Sequence, residues 1–113
     1  MHTTADAAFA LQEQAPGRLL HLHGRLDVSA ATDARLALAA AVDAGQGDLV
    51  LDLTRLEAVD ATGLGVLVGA HRRAFRQGRT LVLHDAPAPV ARVLRLTRLD
   101  RVLRQTRSTT AVA

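Results

Sequence analysis

Between Leu49 and Gln77 the chain changes its hydrophobic period. Leu49-Val-Leu-Asp-Leu53 is a five-residue apolar strand signal, and Val59-Asp-Ala-Thr-Gly-Leu-Gly-Val-Leu-Val-Gly69 after it opens a helical pattern that runs to about Gln77. A buried strand that feeds a helix has to be covered by a helical layer, which points to an α/β architecture. The same junction places a helix N-terminus, with unpaired backbone N–H groups, where the strand exits. Three glycines, Gly63, Gly65 and Gly69, fall in the opening turns. Each costs a helix interior about 0.5–1 kcal/mol relative to alanine, so something must approach this turn closely: the protein's own sheet, a ligand or another protein.

The flanking sequence extends the alternation. Phe9–Gln14 alternates weakly, Pro16-Gly17 signals a turn, and Arg18–Leu26 sets Leu20, Leu22 and Leu26 against His21, His23 and Arg25, which predicts an antiparallel hairpin. Ala30–Ala44 reads as a first helix, with Ser29 as N-cap, Gly45 as the residue past its end, and Leu36, Ala39, Ala40 and Asp43 at helical spacing. The near-continuous apolar character of Leu49–Leu53 predicts a central strand covered on both faces. In the second helix Leu64, Leu67, Val68, Ala74 and Phe75 form the inward stripe, with Arg72, Arg73, Arg76 and Gln77 elsewhere around it. Gly78 ends that helix and Thr80–His84 is a further strand. Pro89 opens a third helix with Val90, Val93, Leu94 and Thr97 inward, and Leu99, Val102 and Leu103 pack after it in a last strand or helix. Helices between strands imply right-handed crossovers, hence a mostly parallel mixed sheet of four to five strands with an initial hairpin and three to four helices. We expect one domain over residues 1–113, its core at about 9–104, with mobile ends at 1–7 and 106–113.

Composition narrows the function classes. The aromatic residues are two Phe, so platforms for stacking bases are nearly absent, which counts against single-stranded nucleic-acid binding. The pI of about 11.2 reflects arginine in place of all lysine: the net charge is only +3, which we read as compositional bias rather than a basic binding function. With no cysteine, disulfides, thiolate metal sites and cysteine catalysis are excluded. No apolar run approaches a membrane span and no charged-then-apolar leader opens the sequence, so the chain reads as cytoplasmic, with neither a membrane nor a nucleic acid as direct partner.

Convergent groups for catalysis are few. Ser29 reads as a cap and Ser108 as part of a fraying tail, so no serine nucleophile is expected and the chain is read as a non-enzyme. His21 and His23 share a strand face but lack further ligands, and are read as exposed histidines rather than a metal site; His71 and His84 have no visible partner. Gly63-Leu-Gly65 with Gly69 is followed by no Lys-Ser or Lys-Thr pair, and Val68 stands where a dinucleotide fingerprint needs its third glycine, so no nucleotide cofactor is expected. Asp60 and Thr62 can each cap the helix, which leaves the glycines unexplained.

Leu51-Asp-Leu53 with Val59-Asp60-Ala61-Thr62-Gly63-Leu64-Gly65-Val66-Leu67 resembles the signature of STAS-domain anti-sigma factor antagonists, the bacterial anti-anti-sigma proteins. Gly24-Arg-Leu-Asp27 is similar to that family's Gly-Glu-Leu-Asp turn, and Pro89–Thr97 with Leu99 to its last-helix segment, so the resemblance covers residues 9 to 104. It implies the STAS fold and a protein-binding module for partner switching. Such a module binds an anti-sigma factor of kinase-like ATPase fold, frees a sigma factor, and is switched off when that partner phosphorylates a serine in the motif. It assigns partner binding to Gly24, Arg25, Asp27, Asp60, Ala61, Thr62, Gly63, Leu64 and Gly65, in a monomer or weak homodimer. This chain has Ala61 at the phosphoacceptor position, with no hydroxyl; Thr62, one residue on, is the remaining hydroxyl; and Arg98 stands where glycine is usual. The alternatives are a scaffold or sensory STAS domain that acts by oligomerisation or docking, and a nucleotide-binding domain.

Overall fold

The computed structural model describes residues 8–108. Strands β1 (Ala10–Ala15) and β2 (Leu19–Leu26) form the predicted hairpin, followed by α1 (Ala31–Ala44), β3 (Leu49–Val59), α2 (Ala61–Arg76), β4 (Leu81–His84) and α3 (Ala88–Leu96). A 3-10 turn at Leu99–Arg101 then leads into β5 (Arg104–Thr106), so the segment around Val102 is a turn followed by a strand. The sheet runs β1-β2-β3-β4-β5, in chain order, with β1 antiparallel to β2 and all other pairs parallel. This is the mixed sheet expected, because each helix carries the chain back to the same end of the sheet for the next strand.

Leu20, Leu22 and Leu26 of β2, Leu49, Leu51 and Leu53 of β3, and Leu81 and Leu83 of β4 are all fully buried. They meet Ala34, Leu38 and Val42 of α1, Leu67 and Ala74 of α2, and Val90 and Leu94 of α3 in one cluster. With side chains alternating along each strand, this leaves the other face to His21, Val50, Asp52, Val82 and His84. Val50 and Asp52 are partly exposed there, so β3 is covered on one face and not on both. Its alternation of Leu49, Leu51 and Leu53 with Val50 and Asp52 held the correct reading. β3 also runs past Leu53 to Val59 through polar residues that the apolar signal did not reach.

Several helix faces differ from the prediction. Phe75, expected in the inward stripe of α2, is 74% exposed, and Leu36, one of the helically spaced positions of α1, is 66% exposed. The buried side of α1 is Ala31, Ala34, Leu38, Ala41 and Val42, and alanine fills both sides of that helix, which hides its face from periodicity. Phe75 lies in the last turn of α2 off the face buried by Leu67, Ala70 and Ala74, and stacks on His71 with ring centroids 6.4 Å apart. Thr97 is exposed, and its hydroxyl donates to the Val93 carbonyl at 2.7 Å. Ser29 does not cap α1: the N-cap is Ala30 with no side-chain bond, because the Ser29 hydroxyl donates to Asp27 at 2.6 Å.

Gly45 ends α1 in extended conformation, φ −141°, so the left-handed cap is not used. What requires glycine there is contact: a Cβ would lie 2.6 Å from the Gly17 carbonyl oxygen of the hairpin turn. The free carbonyls at this end of α1 are taken by Arg79, 4% exposed, which the sequence reading passed over. Its Nη1 donates to Ala41 O at 3.1 Å and Val42 O at 2.7 Å, and its Nε to Gly47 O at 2.8 Å. Its Nη2 donates to the Gly17 carbonyl. One guanidinium therefore joins the hairpin turn, the end of α1 and the loop before β3.

Candidate functional site

The parallel pairing of β2 with β3 sets Arg25 beside Ala58 and Leu26 beside Val59, which brings the turns after both strands to one end of the sheet. Asp60 binds them together. It is the N-cap of α2, and its Oδ1 accepts the Gly63 N–H at 2.8 Å. Its Oδ2 accepts the Val28 N–H at 3.1 Å from 32 residues away. Its own N–H donates to the Leu26 carbonyl at 3.3 Å, and its carbonyl accepts from Leu64 N–H at 2.9 Å. A carboxylate suits this place, since it meets orphan N–H groups at the positive end of a helix.

The three glycines separate on geometry. Gly63 is buried, and a Cβ on it would run into the Leu26 carbonyl oxygen and lie 2.8 Å from Val59 Cγ2. The domain's own strands are what approach this residue. Gly65 and Gly69 are exposed, and a Cβ built on either meets nothing within 4 Å. The fold needs the first glycine and makes no use of the other two.

Of the residues predicted to bind a partner, Arg25, Asp60, Ala61, Thr62 and Gly65 are exposed, and Asp27 is half-buried. Gly24, at φ +80°, Gly63 and Leu64 are buried, so they shape the surface without forming it. Asp27 is turned onto Ser29, whose hydroxyl holds its carboxyl below the ordinary value. Thr62 does not cap α2, that role falling to Asp60, and among the described residues its hydroxyl has no hydrogen-bond partner. Val28, 70% exposed beside Asp60, was missed by the sequence reading; the available signal was an apolar residue inside the turn.

A second group of titratable side chains lies on and beside the uncovered sheet face. His21 Nδ1 is 3.3 Å from Asp52 Oδ2, its Nε2 faces Gln14, and His23 Nε2 is buried without a partner. Among the described residues no group of three or more His, Cys, Asp or Glu is placed to hold a metal ion. His84, expected to be unpartnered, meets Thr106 Oγ1 at 2.7 Å and Asp85 Oδ2 at 3.2 Å, groups that β5 and the loop after β4 bring to it. The Ser108 hydroxyl donates to Asp85 at 2.5 Å and lies 3.1 Å from His84 Nε2. Ser108 is thus anchored where a fraying tail was expected; residues 1–7 and 109–113 of the predicted mobile ends lie outside the described residues. The Asp85 carboxylate accepts the hydroxyl hydrogen bond directly and the other nitrogen of His84 faces a threonine, so the serine–base–carboxylate relay is not assembled at this cluster.

The family model described as Mlab, STAS domain, matches residues 9–105, and the chain belongs to this STAS family. It is 28% identical over 86 residues to an anti-sigma F factor antagonist of Paenibacillus polymyxa, covering 75% of this chain and 74% of that protein. Its fold is similar to that of the anti-sigma factor antagonist SpoIIAA in its unphosphorylated form, with a TM-score of 0.71 and 21% identity over 90% of this chain and 89% of that one. Against the Bacillus protein SpoIIAA in its phosphorylated form the TM-score is 0.67, with 22% identity over 90% of this chain and 92% of that one. No helix among the described residues is long and apolar enough to cross a membrane.

Proposed function

We propose that this protein is an anti-sigma factor antagonist of the cytoplasm, which binds a kinase-like anti-sigma factor through the opening of α2 and is not switched by phosphorylation at the usual position. The observation that carries this is the pair of glycines the fold does not need. Ala61, Thr62 and Gly65 form an exposed ridge next to Val28 and Asp60, Gly69 follows one turn further along α2, and a Cβ at Gly65 or Gly69 would meet nothing within 4 Å. A helix accepts such residues at a stability cost where a second macromolecule must come close to its backbone. The structural relative SpoIIAA exists in a phosphorylated form, whereas Ala61 of this chain offers no oxygen for a phosphate. A dianion added beside Asp60 would repel it and resist desolvation, and this chain is exempt from that switch.

The test is incubation with a kinase-like anti-sigma partner and ATP, read by intact mass, with complex formation read by calorimetry. Binding without mass change is expected; stoichiometric phosphate on this chain, on Thr62 or elsewhere, overturns the unswitched reading. Gly65→Arg is expected to abolish the complex while leaving the melting temperature near that of the parent, and unaltered binding by that variant removes the ridge from the interface. The loss of the acceptor hydroxyl also favours a second reading, a STAS scaffold that acts by docking or self-association; self-association with no affinity for a kinase-like ATPase selects it.

A further inference from the structure

The positive charge of this chain is concentrated in one short segment. Residues 8–91 hold eight arginines and nine carboxylates, whereas residues 92–107 hold Arg92, Arg95, Arg98, Arg101, Arg104 and Arg107 against Asp100 alone. The six recur at every third position through α3, the 3-10 turn and β5. All six are exposed, and among the described residues none has a carboxylate oxygen within 4 Å.

The fold gathers them around the β5 edge of the sheet. Arg95 and Arg107 line a cleft of about 390 Å³ between α3 and β5, together with Asp100 and Gln105. Arg104 pairs in register with Val82 and points to the uncovered face, where it shares a broad concavity with Arg18. Two exposed apolar side chains, Leu96 at 72% and Val102 at 49%, stand among the guanidinium groups. Arg98 is in the left-handed region, φ 62°, a conformation that favours glycine, so an arginine is kept where the backbone disfavours it. The segment from Arg98 to Arg104 precedes β5 and lies at the end of the parallel strands opposite to Asp60, which leaves the α2 ridge free.

We propose that this edge docks the domain on the surface of an anionic phospholipid bilayer. Guanidinium groups pair with phosphate in bidentate geometry, and a row of them unpaired by internal carboxylates suits a dense field of anions better than a single one. A basic cluster of this size beside the membrane is enough to hold a soluble domain at a charged leaflet. Leu96 and Val102 decide between polyanions: they enter the headgroup layer beside acyl chains, whereas a nucleic-acid backbone gives them nothing to contact, and the segment has no aromatic ring to stack on bases. The contact lies on the bilayer and does not span it.

The experiment is co-sedimentation of the full chain with vesicles of phosphatidylglycerol and phosphatidylcholine, against vesicles of phosphatidylcholine alone, with duplex DNA titrated separately. Binding to the anionic vesicles alone is expected, weakened about tenfold or more when Arg92, Arg95 and Arg101 are changed to Glu, and weakened by added salt. Leu96→Ser with Val102→Ser is expected to lower binding about threefold and to steepen the salt dependence, which a purely ionic contact would not show. Arg35→Glu with Arg55→Glu, away from the edge, is expected to retain most of the binding. Equal binding to both vesicle types, retention of binding by the triple variant with its fold intact by circular dichroism, or affinity for duplex DNA exceeding that for the anionic vesicles overturns the proposal.

Discussion

At one end of the sheet Arg79 gathers backbone carbonyls from the hairpin turn, the end of α1 and the loop before β3; at the other, Asp60 gathers backbone N–H groups from the β2–α1 turn and the start of α2. Arg79 uses one charge to hold three segments and Asp60 one charge to hold two, and each charge has the sign that the nearby helix end favours. They differ in access. Arg79 is sealed, so its bonds can serve only the fold, whereas Asp60 is exposed and surrounded by Val28, Ala61, Thr62 and Gly65, none of which the fold has covered. A device that is structural when buried becomes the frame of an interaction surface when left open.

The sharpest way to break this comparison is Arg79→Met, which removes the donor and leaves the buried carbonyls of Gly17, Ala41 and Val42 unsatisfied. We expect a loss of about 3 kcal/mol or more, read as a lower urea midpoint, with Arg79→Lys recovering less than half because an ammonium lacks the planar fork. Gly63→Ala forces a Cβ against Leu26 and Val59 and should cost about 2 kcal/mol in the same assay. Asp60→Ala removes the cap and should cost about 1 kcal/mol, with a larger effect on partner affinity than on stability. Gly65→Ala inverts the sign: it should stabilise the isolated domain by about 0.5–1 kcal/mol while weakening the complex, and a stability loss there would show that Gly65 serves the fold.

The smallest effect concerns Asp43, which joins α1 to α2 through Arg73 at 2.6 Å and Gln77 at 2.7 Å. The Arg73 hydrogen bond, then that of Gln77, lowers its carboxyl from 3.8 to about 2. Since the folded value lies below the unfolded one, its contribution is present above about pH 4 and fades as the pH falls through 3.8 toward 2. Asp43→Asn should therefore flatten the acid limb of a stability–pH profile, slightly, because the pair is exposed and solvent screens it.

Element order was legible because strand and helix periods differ and turn residues mark the joints. Helix faces were less so: alanine on all sides of α1 hid Leu38 and Val42 from the count that favoured Leu36. Arg79 was invisible because its partners are backbone carbonyls, which no residue pattern announces. At the site, the Asp60 cap could be read locally, but its bond to Val28 depends on β2 lying beside β3. In sequence the three glycines are alike, whereas in the fold Gly63 answers to the strands beside it and the other two do not. Whole-chain charge likewise averaged out the row from Arg92 to Arg107.

Because the sheet follows chain order, each strand of a nascent polypeptide meets a neighbour already synthesised, and assembly can advance from the N-terminus without waiting. Arg79 is the exception: it reaches back 62 residues to Gly17. The first hairpin turn therefore lacks this tie until residue 79 has been made, so a chain stopped before that point would hold the turn at Gly17 less firmly, as limited proteolysis between β1 and β2 would show.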